Sequence, residues 1–177
     1  MFYEPKNGHP FKIDPYKALV FPRPIGWISS LSKQGIPNLA PYSYFNAIAD
    51  EPPQVMFCSN GDSAYGGFKV SLSNILSTKE FVVNFATSTT RDAMNISSSN
   101  YKPNEDEFVA AKLKKRKSKL VKAPSVYDSP VNLECKLLKT LKLKTNSKKL
   151  STMVIGEVIG IYINNKFIKN KRVDSVT

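Results

Sequence analysis

One histidine and two cysteines are all that this 177-residue chain offers to soft-metal chemistry. The two cysteines, Cys58 and Cys135, are far apart, so the usual four-ligand structural zinc site has too few ligands. Each cysteine sits inside an apolar run, which predicts two buried free thiols rather than a disulfide. Long apolar runs are also missing. None approaches the ~20 residues that span a bilayer. Residues 1–11 carry Glu4, Pro5, Gly8 and Pro10 and have no apolar centre, so they do not read as a signal peptide. A cytoplasmic location is expected. No G-x-S-x-G, G-x-G-x-x-G or Walker A pattern occurs, and the single His9 lies in the first, proline-flanked segment. Hydrolase triads, Rossmann sites and P-loops therefore have no anchor.

Acids are scarce as well: 14 against 26 Lys and Arg, a net charge of +12. The imbalance is local. Residues 112–172 hold 17 basic and three acidic side chains (Asp128, Glu134, Glu157), and the rest of the chain holds 9 basic and 11 acidic. Such a segment can attract nucleic acid, anionic membrane or phosphorylated ligands. No helix-turn-helix, zinc finger or aromatic-interleaved RNA motif accompanies it, so a solvated lysine-rich face is the expectation and nucleic acid is not an expected partner. Glu134 and Glu157 are expected to face solvent.

What is present is ordinary globular composition, 41% hydrophobic and 11% aromatic, in a length suited to one domain over residues 1–177. Period and turn chemistry predict strands at 25–31 and 36–48, joined by the polar, glycine-ended turn 32–35. Asp50-Glu51-Pro52-Pro53 is a loop, and 54–59 a strand buried on both faces. A flexible loop follows over 60–67, then a short helix from Lys69 to Thr78 and a strand at 80–85. Helices are predicted at 89–96 and 105–113, and two long strands at 131–144 and 150–163, with the turn 145–149 between them. Many strands with few helices and no regular alternation fit a closed or half-closed antiparallel sheet.

Three places invite a functional reading. Ser59 ends a buried strand, and Lys69 and Ser71 open the helix after the following loop. Helix N-termini carry unpaired N–H groups and positive potential, so this junction suits a phosphate. Tyr42, Tyr44, Phe45 and Trp27 read as core or interface. Cys58 adjoins Ser59 but reads as core.

Several stretches, taken together, resemble the flavin reductase-like proteins: R-P-I-G-W-I-S-S at 23–30, P-N-L-A-P-Y-S-Y-F-N-A-I at 37–48 and D-E-P-P-Q-V-M-F at 50–57. They continue with K-x-S-x-x-N-I at 69–75, E-F-V-V-N at 80–84, D-E-F at 106–108, S-P-V-x-L-E-C at 129–135 and V-I-G-E-V at 154–158. The resemblance runs co-linearly from about residue 15 to 174. It implies a split β-barrel, mainly antiparallel with short peripheral helices, that binds FMN non-covalently as a homodimer. It further implies NAD(P)H-dependent flavin reduction, with the electrons passed to a partner oxygenase or another acceptor. By that resemblance Ser43 and Asn46, with backbone groups of Tyr44, Phe45 and Ala47, lie along the ring and ribityl chain. Ser59, Lys69 and Ser71 face the phosphate, Asn74 supports that turn, and Arg23 meets the phosphate or the interface. No catalytic acid or base is implied. The loop 60–68 is longer than the family's usual one, and the R-L-G-G-x-x-Y motif expected beyond R-V-D does not occur in the 177 residues. Two alternatives stay open: a non-enzymatic FMN- or polyanion-binding protein using the basic segment, and a relative of the pyridoxamine phosphate oxidases.

Overall fold

The computed structural model describes residues 1–146 and 148–173. After one helical turn, α1 (Tyr16–Leu19), the chain forms β1 (Gly26–Leu31) and β2 (Pro37–Tyr42). Ser32 N–H closes their turn on Ile36 O at 2.9 Å, and Gly35 takes the positive φ of 83° that the turn needs. β3 (Phe45–Asp50) and β4 (Pro53–Asn60) form a second hairpin. Then come α2 (Val70–Thr78), β5 (Glu80–Asn84), α3 (Arg91–Ile96) and the one-turn α4 (Glu107–Ala110). Short β6 (Lys115–Arg116) and β7 (Ser125–Val126) precede the long pair β8 (Val131–Lys142) and β9 (Ser151–Ile163), and β10 (Ile168–Lys169) and β11 (Arg172–Val173) end the described chain.

Seven strands make one antiparallel sheet in the order β2-β1-β5-β8-β9-β4-β3. Its two edge strands, β2 and β3, are separated in sequence by Ser43 and Tyr44 alone. A two-residue link cannot cross an open seven-stranded sheet, because neighbouring strands are about 4.8 Å apart and a residue spans at most about 3.6 Å. The sheet therefore curls until its edges meet, and the seam between β2 and β3 is the split in the barrel. This corrects the single strand expected over 36–48: barrel closure breaks it at Ser43, while Pro41, two residues earlier, stays in β2 in register with Trp27.

Inside, Ile28, Phe57, Phe81, Val83, Cys135 and Val154 are sealed from solvent with Tyr42 and Phe45. Burying each large apolar side chain contributes about 1.5–3 kcal/mol. Leu72 and Ile75 bring α2 onto this core, and Lys79, at φ 64°, ends that helix. The alternate residues of β1 and β5 point outward yet are also buried. Trp27 packs with Leu39, Phe108 and Val126, and Val82 with Val121 and Ala123. An outer layer over 97–126 thus covers these strands.

Buried polar side chains fasten that layer. Asn84 Nδ2 donates to Trp27 O (2.9 Å) and Ser29 Oγ (3.0 Å), while its Oδ1 accepts from Val126 N–H and Asn132 Nδ2, both at 2.8 Å. Glu134 is buried, contrary to the solvent-facing reading. Its carboxylate accepts the N–H groups of Lys119 (2.8 Å), Leu120 (2.6 Å) and Val121 (3.2 Å). The helix expected over 105–113 is one turn long. Asp106 caps it through Phe108 N–H, and Lys112 adopts a left-handed φ of 54° just beyond it.

Candidate functional site

A cleft of about 120 Å³ opens at the N-terminus of α2. β2 supplies Asn38, Ala40, Pro41 and Tyr42; the loop after β4 supplies residues 62–64; α2 supplies Lys69, Val70 and Ser71. Residues 97–101, the polar run after α3, and Glu107 close the opposite side.

The helix start is unsatisfied. α2 has no side-chain cap, so its first N–H groups lack the partner that a capping Ser or Asp would give. Lys69, at the cap position, is half-buried and forms no ion pair among the described residues. Burial, and then the neighbouring charge of Lys17, hold its pKa below the ordinary lysine value. Asn38 Nδ2 donates to Ser71 Oγ at 3.3 Å. Burial raises the Tyr42 phenol above its ordinary value, while the hydroxyls of Ser71 and Ser59 act in the opposite direction. Ser59 Oγ is close to Tyr42 but out of hydrogen-bonding geometry, and it has no hydrogen-bond partner among the described residues although it is buried. A buried hydroxyl without a partner costs about 1–3 kcal/mol. An anion with several acceptor oxygens would answer the bare N–H groups and the unpaired lysine.

Lys69 and Ser71 therefore lie together in the cleft, and Ser59 sits beside them through Tyr42. Asn74 is one turn further along α2, buried, and donates to Ser30 Oγ at 3.2 Å, so it ties α2 to β1. Ser43 and Tyr44 are half-buried in the link at the seam, continuous with the β2 residues of the cleft. Phe45 is core, packed against Gly26, where a Cβ would come within 2.6 Å of its ring. Asn46 and Ala47 are exposed at the start of β3, and Asn46 Oδ1 accepts from Ala47 N–H at 3.0 Å. Arg23 is not in the cleft. Its guanidinium is 5.7 Å from the Tyr44 ring centroid and donates to Lys17 O and to Val20 O (2.6 Å), leaving Nε buried and unpartnered.

Three contributors were not anticipated: Asp62, the 97–101 run and Glu107. Ser97 Oγ accepts Trp27 Nε1–H at 2.9 Å, which seats that run against the barrel. Glu107 accepts Leu39 N–H at 3.0 Å. Burial above all, and the nearby Asp106 and Glu105 charges, push its carboxyl up to about 7. The S-S-S-N spelling at 97–100 was the signal available for one of these. No helix of the described chain is long and apolar enough to cross a membrane.

Comparisons with known proteins agree with this architecture. An uncharacterized protein of Aquifex aeolicus is 46% identical over 123 residues, 69% of this chain and 62% of its own length. The chain thus spans less than two thirds of that relative. Nitrilotriacetate monooxygenase component B from Bacillus cereus superimposes with a TM-score of 0.86 at 29% identity, covering 98% of this chain and 87% of its own. The 2-nitrobenzoate 2-nitroreductase NbaA of Pseudomonas fluorescens gives 0.80 at 28% identity, with 98% and 83% covered. Residues 18–174 match the flavin reductase like domain, and the chain belongs to that family of split-barrel proteins.

Proposed function

We propose that the protein binds FMN non-covalently and is an NAD(P)H-dependent flavin oxidoreductase of the cytoplasm. Family membership supports the flavin-related oxidoreductase class. The observation that carries the FMN reading is the uncapped start of α2, where an unpaired, half-buried Lys69 stands beside Ser71 and the partnerless Ser59 hydroxyl. These residues fit a phosphate monoester. Lys69 and the α2 N–H groups would hold its charge, and the Ser71 and Ser59 hydroxyls would take its remaining oxygens. The 40–47 segment, with Ser43, Asn46 and backbone groups of Tyr44, Phe45 and Ala47, would hold the ribityl chain and ring. Hydride acceptance from the nicotinamide is chemistry that the flavin supplies when bound. The chain's part is to bind, orient and exclude water, and no side-chain acid or base is assigned.

A homodimer is part of the reading. The register puts Leu141, Met153 and Cys58 in one row across β8, β9 and β4, and Ile155 and Met56 in the next. Their neighbours Val154 and Phe57 point into the core, so these rows face outward. Met56, Met153 and Ile155 are half-buried, and Leu141 is exposed. A second copy is the cover proposed for that face. The likeness to a monooxygenase component B supports delivery of reduced flavin to a partner oxygenase.

Titrating purified protein with FMN and following its spectrum and NADH or NADPH oxidation tests the proposal. No flavin uptake and no nicotinamide oxidation would sink it. A hydrogen bond to a charged group is worth about 1.5–3 kcal/mol. Lys69→Ala should therefore weaken FMN at least ~10-fold and leave riboflavin, which lacks the phosphate, nearly unchanged.

A further inference from the structure

We infer that a second cleft, between the β6–β7 layer and the end of β9, binds a small amphipathic carboxylate: one aromatic ring or a branched aliphatic chain bearing one negative charge. It has a volume of about 260 Å³ and shares no lining residue with the cleft at α2. Its walls include Leu120 and Ile161, large apolar side chains that are 56% and 59% exposed. Gly160 lies against that wall. A Cβ there would stand 3.0 Å from Leu120 Cδ1, so glycine lets Leu120 lie close to the strand.

Around these walls three cations face a single carboxylate. Arg116, Lys117 and Lys119 line the cleft, and none is ion-paired to a carboxylate among the described residues. Glu134 lines it too, but its carboxylate already accepts three backbone N–H groups. Arg116 is held stiffly. Its guanidinium carbon is 3.9 Å from the Tyr162 ring centroid, NH1 donates to Asn132 Oδ1 at 2.8 Å, and NH2 donates to Tyr127 O. Of the five N–H donors on a guanidinium, these bonds use two. A fixed cation with donors to spare beside exposed hydrocarbon matches a carboxylate that carries its own apolar body. A bare phosphate would leave the hydrocarbon wet. A second copy of the chain on this face would set like charges against each other.

Calorimetric titration with benzoate, benzyl alcohol and inorganic phosphate separates these cases. Benzoate should bind with a Kd of ~1 mM or tighter, and the other two at least ~10-fold more weakly. Replacing both surface lysines (Lys117→Ala with Lys119→Ala) should weaken benzoate ~10-fold, and Ile161→Ser should do the same. In an amide-resolved NMR titration the benzoate shifts should centre on Gly160 and Ile161. The lysine pair is exposed, so those changes test the inference even if the Ile161 variant folds poorly. No benzoate binding at ~10 mM, phosphate binding as tight as benzoate, shifts centred elsewhere, or affinity untouched by the lysine changes would each overturn it.

Discussion

Glu107→Gln should stabilise the protein in alkaline solution and leave it unchanged in acid. Glu107 is 6% exposed, and burial, aided by Asp106 and Glu105, lifts its carboxyl from an ordinary 4.5 to about 7. In the folded chain it keeps its proton over a range where the unfolded chain has lost it. Stability from this group is thus complete below pH 4.5, falls as pH rises, and is gone above about 7. Each pKa unit corresponds to about 1.4 kcal/mol, so the full difference is at most about 3.4 kcal/mol, and about 2 kcal/mol is expected because the cleft admits water on one side. Glutamine keeps an oxygen for Leu39 N–H and carries no charge at any pH. Urea melts at ~pH 4 should give matching midpoints for parent and variant, and at ~pH 8.5 the variant should be ahead by about 2 kcal/mol. Parallel stability curves across that range would refute the reasoning.

Two substitutions and one labelling experiment probe the barrel. Gly156→Ala places a Cβ within 2.4 Å of Phe81 Cζ, in a core with no room; thermal melts should show a loss of about 1–3 kcal/mol. Glu134→Ala strands three backbone N–H groups; the loss should reach about 3 kcal/mol or more, with amide exchange accelerating first at 119–121. Burial raises both thiols, Cys135 far more than Cys58. A disulfide reagent should therefore label Cys58 slowly in the native protein and Cys135 only after unfolding.

Much of the barrel was legible because each strand carries its own pattern. E-F-V-V-N announces a strand, and the structure explains why all five residues are buried: the 97–126 layer covers the side that a half-exposed strand would show to water. The break at Ser43 was illegible, because it comes from the two sheet edges meeting and not from any residue there. Glu134 looked like a surface residue because its three partners are backbone groups, which spell nothing in the sequence. At the site, the Ser59–Lys69–Ser71 junction could be read locally as a strand end and a helix start. Glu107 could not, since it reaches the cleft by bonding Leu39, 68 positions away.

The strand order also governs how the molecule can be made. When β5 leaves the ribosome, the chain holds two separate fragments, β2-β1-β5 and β4-β3. Between them belongs the β8–β9 hairpin, which comes last of the seven strands and pairs residue 54 with 157 and 80 with 136. Until it arrives, the inner edges of β4 and β5 present unpaired N–H and C=O groups beside Val55, Phe57, Phe81 and Val83, an invitation to pair with another nascent chain. The closing pairs are distant in sequence, so closure is expected to be the slow event. Until the last hairpin is complete, the growing chain stays open to such mispairing.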